Sequence, residues 1–148
     1  MTIAGRLAGA PISWGVCEVP GWGWQLDTTT VLAQMREVGL LATEFGPDGF
    51  LPDDPHDKAA TLAEQGLRAV GGFVPVVLHD PAVDPLRMVG SAVADFRAAG
   101  ASTLVLAAAT GLAGYDVRPR LDDDGWQVLL TNLDRLALYA SRVGVTAT

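Results

Sequence analysis

The feature that most constrains the fold of this chain is a glycine that recurs at the end of each amphipathic segment along its 148 residues. Amphipathic segments end at Gly39, Gly66, Gly100 and Gly144, and a short apolar run follows each glycine. Glycine suits the left-handed backbone just past a helix end, where a Cβ atom would clash. The pattern therefore predicts four helices, each followed by a strand. The second helix, near residues 57–65, has the weakest apolar stripe.

Start signals support the other three helices. Asp27 or Thr28 is a good N-cap for the first helix. Asp84 caps the third helix, and Pro85 stands at its first position. The fourth helix follows the acidic run that begins at Asp122, which suits the positive end of a helix dipole. Its predicted apolar face comprises Trp126, Leu129, Leu130, Leu133, Leu136 and Ala140.

The strands lie before, between and after the helices. Residues 12–17 are the first predicted strand, 40–45 the second and 102–109 the fourth. The third lies within residues 67–77, and Val145 begins a fifth. The third and fourth contain continuously apolar runs, which are typical of parallel strands covered by helices.

Two α/β architectures fit this order of elements. One is a complete five-stranded doubly wound sheet, which usually carries a glycine-rich phosphate loop after its first strand. Here that position holds Glu18, Trp22 and Trp24, and a carboxylate with two indoles is a poor phosphate cradle. We therefore favour the N-terminal half of a (β/α)8 TIM barrel, whose whole needs about 250 residues. On this interpretation residues 1–148 are the N-terminal part of a single barrel domain, with about four βα units and the start of strand five.

Composition narrows the function classes. The net charge of −7 disfavours nucleic-acid binding, because an acidic surface repels phosphate. No apolar run reaches the roughly 18 residues that cross a bilayer, and we see no secretory signal. Cys17 is the only cysteine, so an intrachain disulfide is excluded. We expect a cytoplasmic protein with a small-molecule partner, no nucleic-acid partner and no membrane partner.

Four segments carry a resemblance to a known family. They are PISWG at 11–15, EVPGWG at 18–23, TEFGPDGFLP at 43–52 and GFVPVVLHD at 72–80. Together they resemble the xylose-isomerase-like TIM-barrel superfamily of sugar phosphate isomerases/epimerases and inosose dehydratases, with the inosose dehydratase branch of inositol catabolism the most similar. The likeness extends over nearly the whole chain.

The resemblance implies a divalent metal, Mn, Co or Mg, in the intact protein. Family ligands are carboxylates and histidine at the ends of strands five to eight, and this sequence ends inside the fifth predicted strand. We therefore assign no metal ligand and expect no tight metal binding to this chain alone. Zinc-dependent abasic-site endonucleases, a related branch, use histidines after strands three and four. His79 is near the first position, but Ala109 and Thr110 occupy the end of the fourth strand, which disfavours that function.

Barrel enzymes hold their sites at the carboxyl ends of the strands. Our substrate-binding candidates there are Trp14, Glu18, Trp22, Glu44 and His79. Each has a structural alternative: core packing for the indoles, loop hydrogen bonds for the carboxylates and a loop-anchoring bond to Asp80 for His79. We expect Trp22, Glu44 and His79 to converge on one rim, and we assign no catalytic residue.

The resemblance implies a keto-sugar or cyclitol substrate. A base removes the proton α to the carbonyl and gives an enediolate, which leads to isomerisation, epimerisation or loss of a β-hydroxyl. We expect the bases to lie beyond Thr148, so this chain alone would be inactive. Its open edges would favour homo-oligomers. The alternative function is that of a non-catalytic doubly wound domain that binds a ligand or partner.

Overall fold

The structure is a computed structural model that describes residues 3–17, 19, 21–114 and 116–148. Its sheet contains strands β1 (Ala42–Glu44), β2 (Arg68–Val76), β3 (Thr103–Ala108) and β4 (Thr146–Ala147). Its α-helices are α1 (Thr28–Glu37), α2 (Pro55–Glu64), α3 (Leu86–Ala98) and α4 (Asp123–Arg142). Two 3-10 helices, Ile3–Arg6 and Pro11–Trp14, precede them.

The strands are parallel and follow one another in the sheet in the order β1-β2-β3-β4, with a helix before each strand. A doubly wound sheet reverses its strand order at a switch point. An uninterrupted order is that of a barrel wall. The half-barrel prediction is confirmed, and the doubly wound alternative is wrong.

The four predicted helix-ending glycines are confirmed. Gly39, Gly66, Gly100 and Gly144 all have φ between 70° and 87°, in the left-handed region. At the other helix ends, Asp27 accepts a bond from the Thr30 amide and Asp122 one from the Gly125 amide, both at 2.9 Å. The side chain of Asp84 accepts from the Leu86 amide at 3.2 Å. A cap that the sequence analysis omitted, Asp54, starts α2 two residues earlier than predicted.

The first predicted strand, residues 12–17, is wrong. Residues 11–14 form a 3-10 turn that begins at Pro11 and ends at Gly15, whose φ is +80°. Proline fixes φ and lacks an N–H donor, and a left-handed glycine reverses the chain, so neither supports an extended ladder here. The strand-like contact lies upstream, where Gly9 forms a parallel bridge with Thr43.

The chain divides into two compact units. Unit 1 comprises residues 1–72 and 95–103, and unit 2 comprises residues 73–94 and 104–148. The core of unit 1 includes Val31, Leu32, Met35, Leu62, Phe45 and Phe96. The core of unit 2 includes Val76, Leu78, Val89, Val93, Leu104, Leu136 and Ala140. That residues 1–148 form part of a single domain stays a prediction.

No helix in the described ranges is long and apolar enough to span a bilayer.

Candidate functional site

Glu44 is the last residue of β1 and lies where the sheet changes register. Ala42 and Thr43 pair with Arg68 and Ala69, but Glu44 pairs with Gly71, so β2 carries one extra residue. Such bulges turn a strand and re-aim its side chains. The Glu44 amide donates to the Gly9 carbonyl at 2.9 Å. The main chain of Glu44 is therefore held by its neighbours on both sides.

The Glu44 side chain has a different environment. It is half-buried, and its carboxylate has no hydrogen-bond partner among the residues that the structure describes. Burial raises its pKa above the ordinary value of 4.5, because desolvation disfavours the charged form. A carboxyl group of this kind is suited to accept a hydroxyl hydrogen bond or to exchange a proton.

Thr43 supports this arrangement from inside the strand. Its side chain is fully buried, and its hydroxyl donates to the Gly9 carbonyl at 3.1 Å. On the other side of Glu44, the Phe45 ring packs against Phe96 with centroids 5.3 Å apart. Glu44 thus lies between Thr43, which a hydrogen bond holds in place, and Phe45, which ring packing holds in place.

The indole candidates also lie in unit 1. Trp14 ends the 3-10 helix and is partly buried, whereas 51% of the Trp22 surface is exposed. The side-chain amide of Gln25 donates to the Gly15, Cys17 and Trp22 carbonyls at 3.1–3.4 Å. This bracing holds the loop that carries Trp22. Trp24, which is outside the predicted substrate-binding set, is 82% exposed. Glu18 lies outside the described residues.

His79 belongs to unit 2, three residues after β2. Its imidazole is partly exposed and has no hydrogen-bond partner among the described residues. The loop-anchoring alternative required a bond to Asp80. The Asp80 carboxylate instead accepts a bond from the Ala82 amide at 2.8 Å. An imidazole without such a bond keeps its donor and its acceptor nitrogen for a ligand.

Asn132 is a residue that sequence reasoning missed. It lies on α4, and its side-chain amide donates to the carbonyl of Leu78 at 2.9 Å. Leu78 directly precedes His79 and is fully buried. Donor and acceptor are 54 positions apart in the sequence, so no local pattern indicates this contact.

Within the described ranges, no group of three His, Cys, Asp or Glu side chains could hold a metal ion. A groove of about 440 Å³ in unit 2 contains none of the predicted site residues. Its lining is Leu86, Thr131, Asp134, Arg135, Leu138, Tyr139 and Arg142.

Comparison with known sequences finds inosose dehydratases. The chain is 27% identical to that of Geobacillus kaustophilus over 150 residues, which covers 95% of this chain and 48% of the relative. It is 28% identical to that of Lacticaseibacillus casei, covering 98% of this chain and 50% of the relative. The chain thus spans about half the length of the curated relatives it matches. No protein-family profile matches it.

In the solved structures that it matches, the chain likewise covers about half of each matched chain. L-ribulose 3-epimerase matches with a TM-score of 0.66 and 16% identity, over 96% of this chain and 48% of that one. D-psicose 3-epimerase from Clostridium cellulolyticum, solved with D-tagatose, matches with a TM-score of 0.66 and 13% identity, over 95% of this chain and 50% of that one. A xylose isomerase domain-containing protein from Salmonella typhimurium matches with a TM-score of 0.64 and 14% identity, over 97% of this chain and 48% of that one.

These likenesses and the strand order show that the chain has the fold of the N-terminal half of a (β/α)8 barrel, as in the epimerases and the xylose isomerase domain-containing protein that it matches. In sequence the chain is similar to inosose dehydratases, and in fold it is similar to sugar epimerases. The resemblance drawn from the sequence segments is thereby confirmed.

Proposed function

We propose that this chain supplies one part of the substrate site of an enzyme that isomerises, epimerises or dehydrates a keto-sugar or cyclitol. The observation that carries the proposal is Glu44. It is a half-buried carboxyl group with a raised pKa at the carboxyl end of a barrel strand, without a hydrogen-bond partner among the described residues. Barrel enzymes hold their substrates at this end of the strands.

The proposed chemistry is a proton transfer α to a carbonyl. A base takes the α proton, and the electron pair of the C–H bond moves through the carbonyl carbon to its oxygen, giving an enediolate. Protonation at the same or the neighbouring carbon completes epimerisation or isomerisation. Departure of a β-hydroxyl as water completes dehydration. We propose that the bases are residues other than those of this chain.

Each candidate has a binding role in this scheme. Glu44 accepts a hydrogen bond from a substrate hydroxyl, and His79 bonds a second polar group of the substrate. Trp22 and Trp14 each offer an apolar ring face to the C–H groups of the substrate. Glu18 is proposed as a further polar contact on sequence grounds alone. The convergence of Trp22, Glu44 and His79 stays a prediction.

We further propose that the intact enzyme uses a divalent metal, Mn, Co or Mg, which would polarise the substrate carbonyl. The described residues of this chain do not provide its ligand set. A cytoplasmic location, a role in inositol catabolism and lyase activity are likewise proposals. The inosose dehydratases among the relatives support the latter two.

The test is a matched pair of substitutions in the intact protein. Glu44→Gln removes the charge of the half-buried carboxylate, and Glu64→Gln makes the same change at an exposed position of α2. Turnover is measured with D-allulose by chromatography of the epimer, and with an inosose by the mass lost as water. We expect Glu44→Gln to lower turnover at least about tenfold, as for loss of a group that touches the substrate, and Glu64→Gln to leave it unchanged.

Two outcomes would contradict the proposal. Equal turnover in both variants would remove Glu44 from the site. Absence of epimerase, isomerase and dehydratase activity in the intact wild-type protein, with its metal supplied, would remove the reaction class.

A further inference from the structure

The segment between β2 and α3 carries His79, and α4 binds it at both ends. At its start, the Asn132 side-chain amide donates to the Leu78 carbonyl at 2.9 Å. At its end, the Arg135 guanidinium contacts the Asp84 carboxylate at 2.9 Å. Asn132 and Arg135 are three residues apart, so they share one face of α4. All of these residues belong to unit 2.

The two attachments differ in strength. The side chains of Arg135 and Asp84 are 47% and 62% exposed, and exposed ion pairs contribute little to stability. The Asn132 bond is partly buried and ends on the carbonyl of a fully buried residue. Breaking it would leave a shielded carbonyl unpaired, which is much more costly than losing a surface contact. Asn132 is therefore the attachment that holds the start of this segment.

His79 follows that attachment directly. Its imidazole has no hydrogen bond to any described residue, so its position depends on the main chain at residues 78 and 79. We propose that Asn132 is the positioning residue of His79: it fixes the main chain from which the imidazole projects. This inference rests on the proposed function, in which His79 contacts substrate.

The chain provides an internal reference for the test, because His56 is the only other histidine. Diethyl pyrocarbonate modifies exposed imidazoles, and trypsin separates the two sites. His56 lies on the peptide that ends at Lys58, and His79 lies on the peptide 69–87. The ratio of their modification rates, measured by mass spectrometry on the intact protein, reports on His79 alone.

Three variants complete the design. Asn132→Asp is nearly isosteric and removes the N–H donor, and Asn132→Leu removes all polarity. Arg135→Gln breaks only the exposed attachment. We expect both Asn132 variants to raise the His79 rate about three- to tenfold relative to His56, because loss of one shielded hydrogen bond opens the segment by that factor. Arg135→Gln should change the ratio less than about twofold.

An unchanged ratio in both Asn132 variants would overturn the proposal. A His79 rate equal to that of the urea-unfolded chain in both would also overturn it, because Asn132 would then maintain the fold rather than position His79. Turnover adds a further criterion: because His79 has a binding role, Asn132→Asp should raise KM for the ketose more than it lowers kcat.

The proposed function is tested separately by adding D-allulose to the wild-type protein. We expect the ketose to slow modification of His79 and not of His56. If Asn132 variants change the ratio but the ketose gives no protection, Asn132 positions His79 and the substrate role of His79 is wrong. If the ketose protects His79 while the ratio stays constant across variants, only the positioning role is wrong.

Discussion

Gly71 approaches Thr103 so closely that an ideal Cβ on Gly71 would lie 1.6 Å from the Thr103 carbonyl oxygen. The φ angle of Gly71 is +142°, a region that residues with a side chain rarely adopt. Gly71 is also the residue opposite Glu44 at the change of register, and its carbonyl accepts a bond from the Phe45 amide at 2.9 Å. The glycine therefore sets how β1 ends, and with it the position of the Glu44 side chain.

We expect Gly71→Ala to destabilise the protein by about 2–5 kcal/mol, since it combines a disfavoured φ with a clash against main-chain atoms that cannot move aside. Gly72→Ala is the matched control. A Cβ there would lie 3.4 Å from the Phe96 ring, an ordinary contact, so its effect should stay below about 1 kcal/mol. Urea unfolding measures both. Equal effects at the two positions would show that the bulge is not rigid.

The sequence predicted the elements that local signals define. Glycine stops and aspartate caps placed the four helices to within a few residues, because helix ends depend on nearby residues. The predicted first strand is wrong because Pro11 and Gly15 determine the local backbone more strongly than the apolar residues around them. Glu44 was predicted at a strand end from its position alone. Its raised pKa and the Asn132 bond depend on distant residues, so the sequence pattern did not indicate them.

The raised pKa of Glu44 predicts a pH-dependent stability. The folded protein holds this proton more tightly than the unfolded chain, whose pKa is near 4.5. The contribution of Glu44 to the free energy of unfolding is thus fully present below pH 4.5 and is lost as the pH rises through the pKa of the folded state. Glu44→Gln removes this loss. We expect its Tm to match that of the wild type near pH 4 and to be equal or higher at pH 7.

Thermal melts across this pH range provide the measurement, with Glu64→Gln as the exposed control. A variant that is as stable as the wild type or more so, and yet turns over substrate more slowly, is the signature of a residue kept for function. A lower Tm for Glu44→Gln at pH 7 would instead indicate that the carboxylate has a structural partner.

Asp27 predicts the opposite pH dependence. Hydrogen bonds from the Thr30 side chain and main chain lower its pKa below 3.8. Its stabilising contribution is therefore present above pH 3.8 and is lost as the pH falls through the folded pKa. Asn is also a good N-cap but carries no charge. We expect Asp27→Asn to retain helix α1 at pH 7 and to flatten the acid limb of the stability curve, as measured by circular dichroism during acid titration. An unchanged acid limb would contradict the assignment.

The exposed flank of α4 leads to the last prediction. Trp126 and Leu130 were predicted within the buried face of this helix, but both are 53% exposed, whereas Leu136 and Ala140 are fully buried. Trp126 and Leu130 lie four residues apart and so form one exposed apolar stripe.

In the same unit, β4 pairs with β3 through bonds between Thr148 and residues 104 and 106. The other edge of β4 has no strand partner among the described residues. An unpaired strand edge and an exposed apolar stripe are each a surface for association. We therefore expect the 148-residue chain to self-associate, and sedimentation velocity over a range of concentrations should show it.

Trp126→Lys combined with Leu130→Lys should raise the dissociation constant at least about tenfold, because each large apolar side chain that is buried on association contributes roughly 1.5–3 kcal/mol. Val38→Lys is the control, since Val38 is 70% exposed and lies just past the end of α1. If the control weakens association as much as the double variant, added charge rather than loss of the α4 stripe is responsible. A wild-type chain that stays monomeric at every concentration would show that this flank and the β4 edge do not associate.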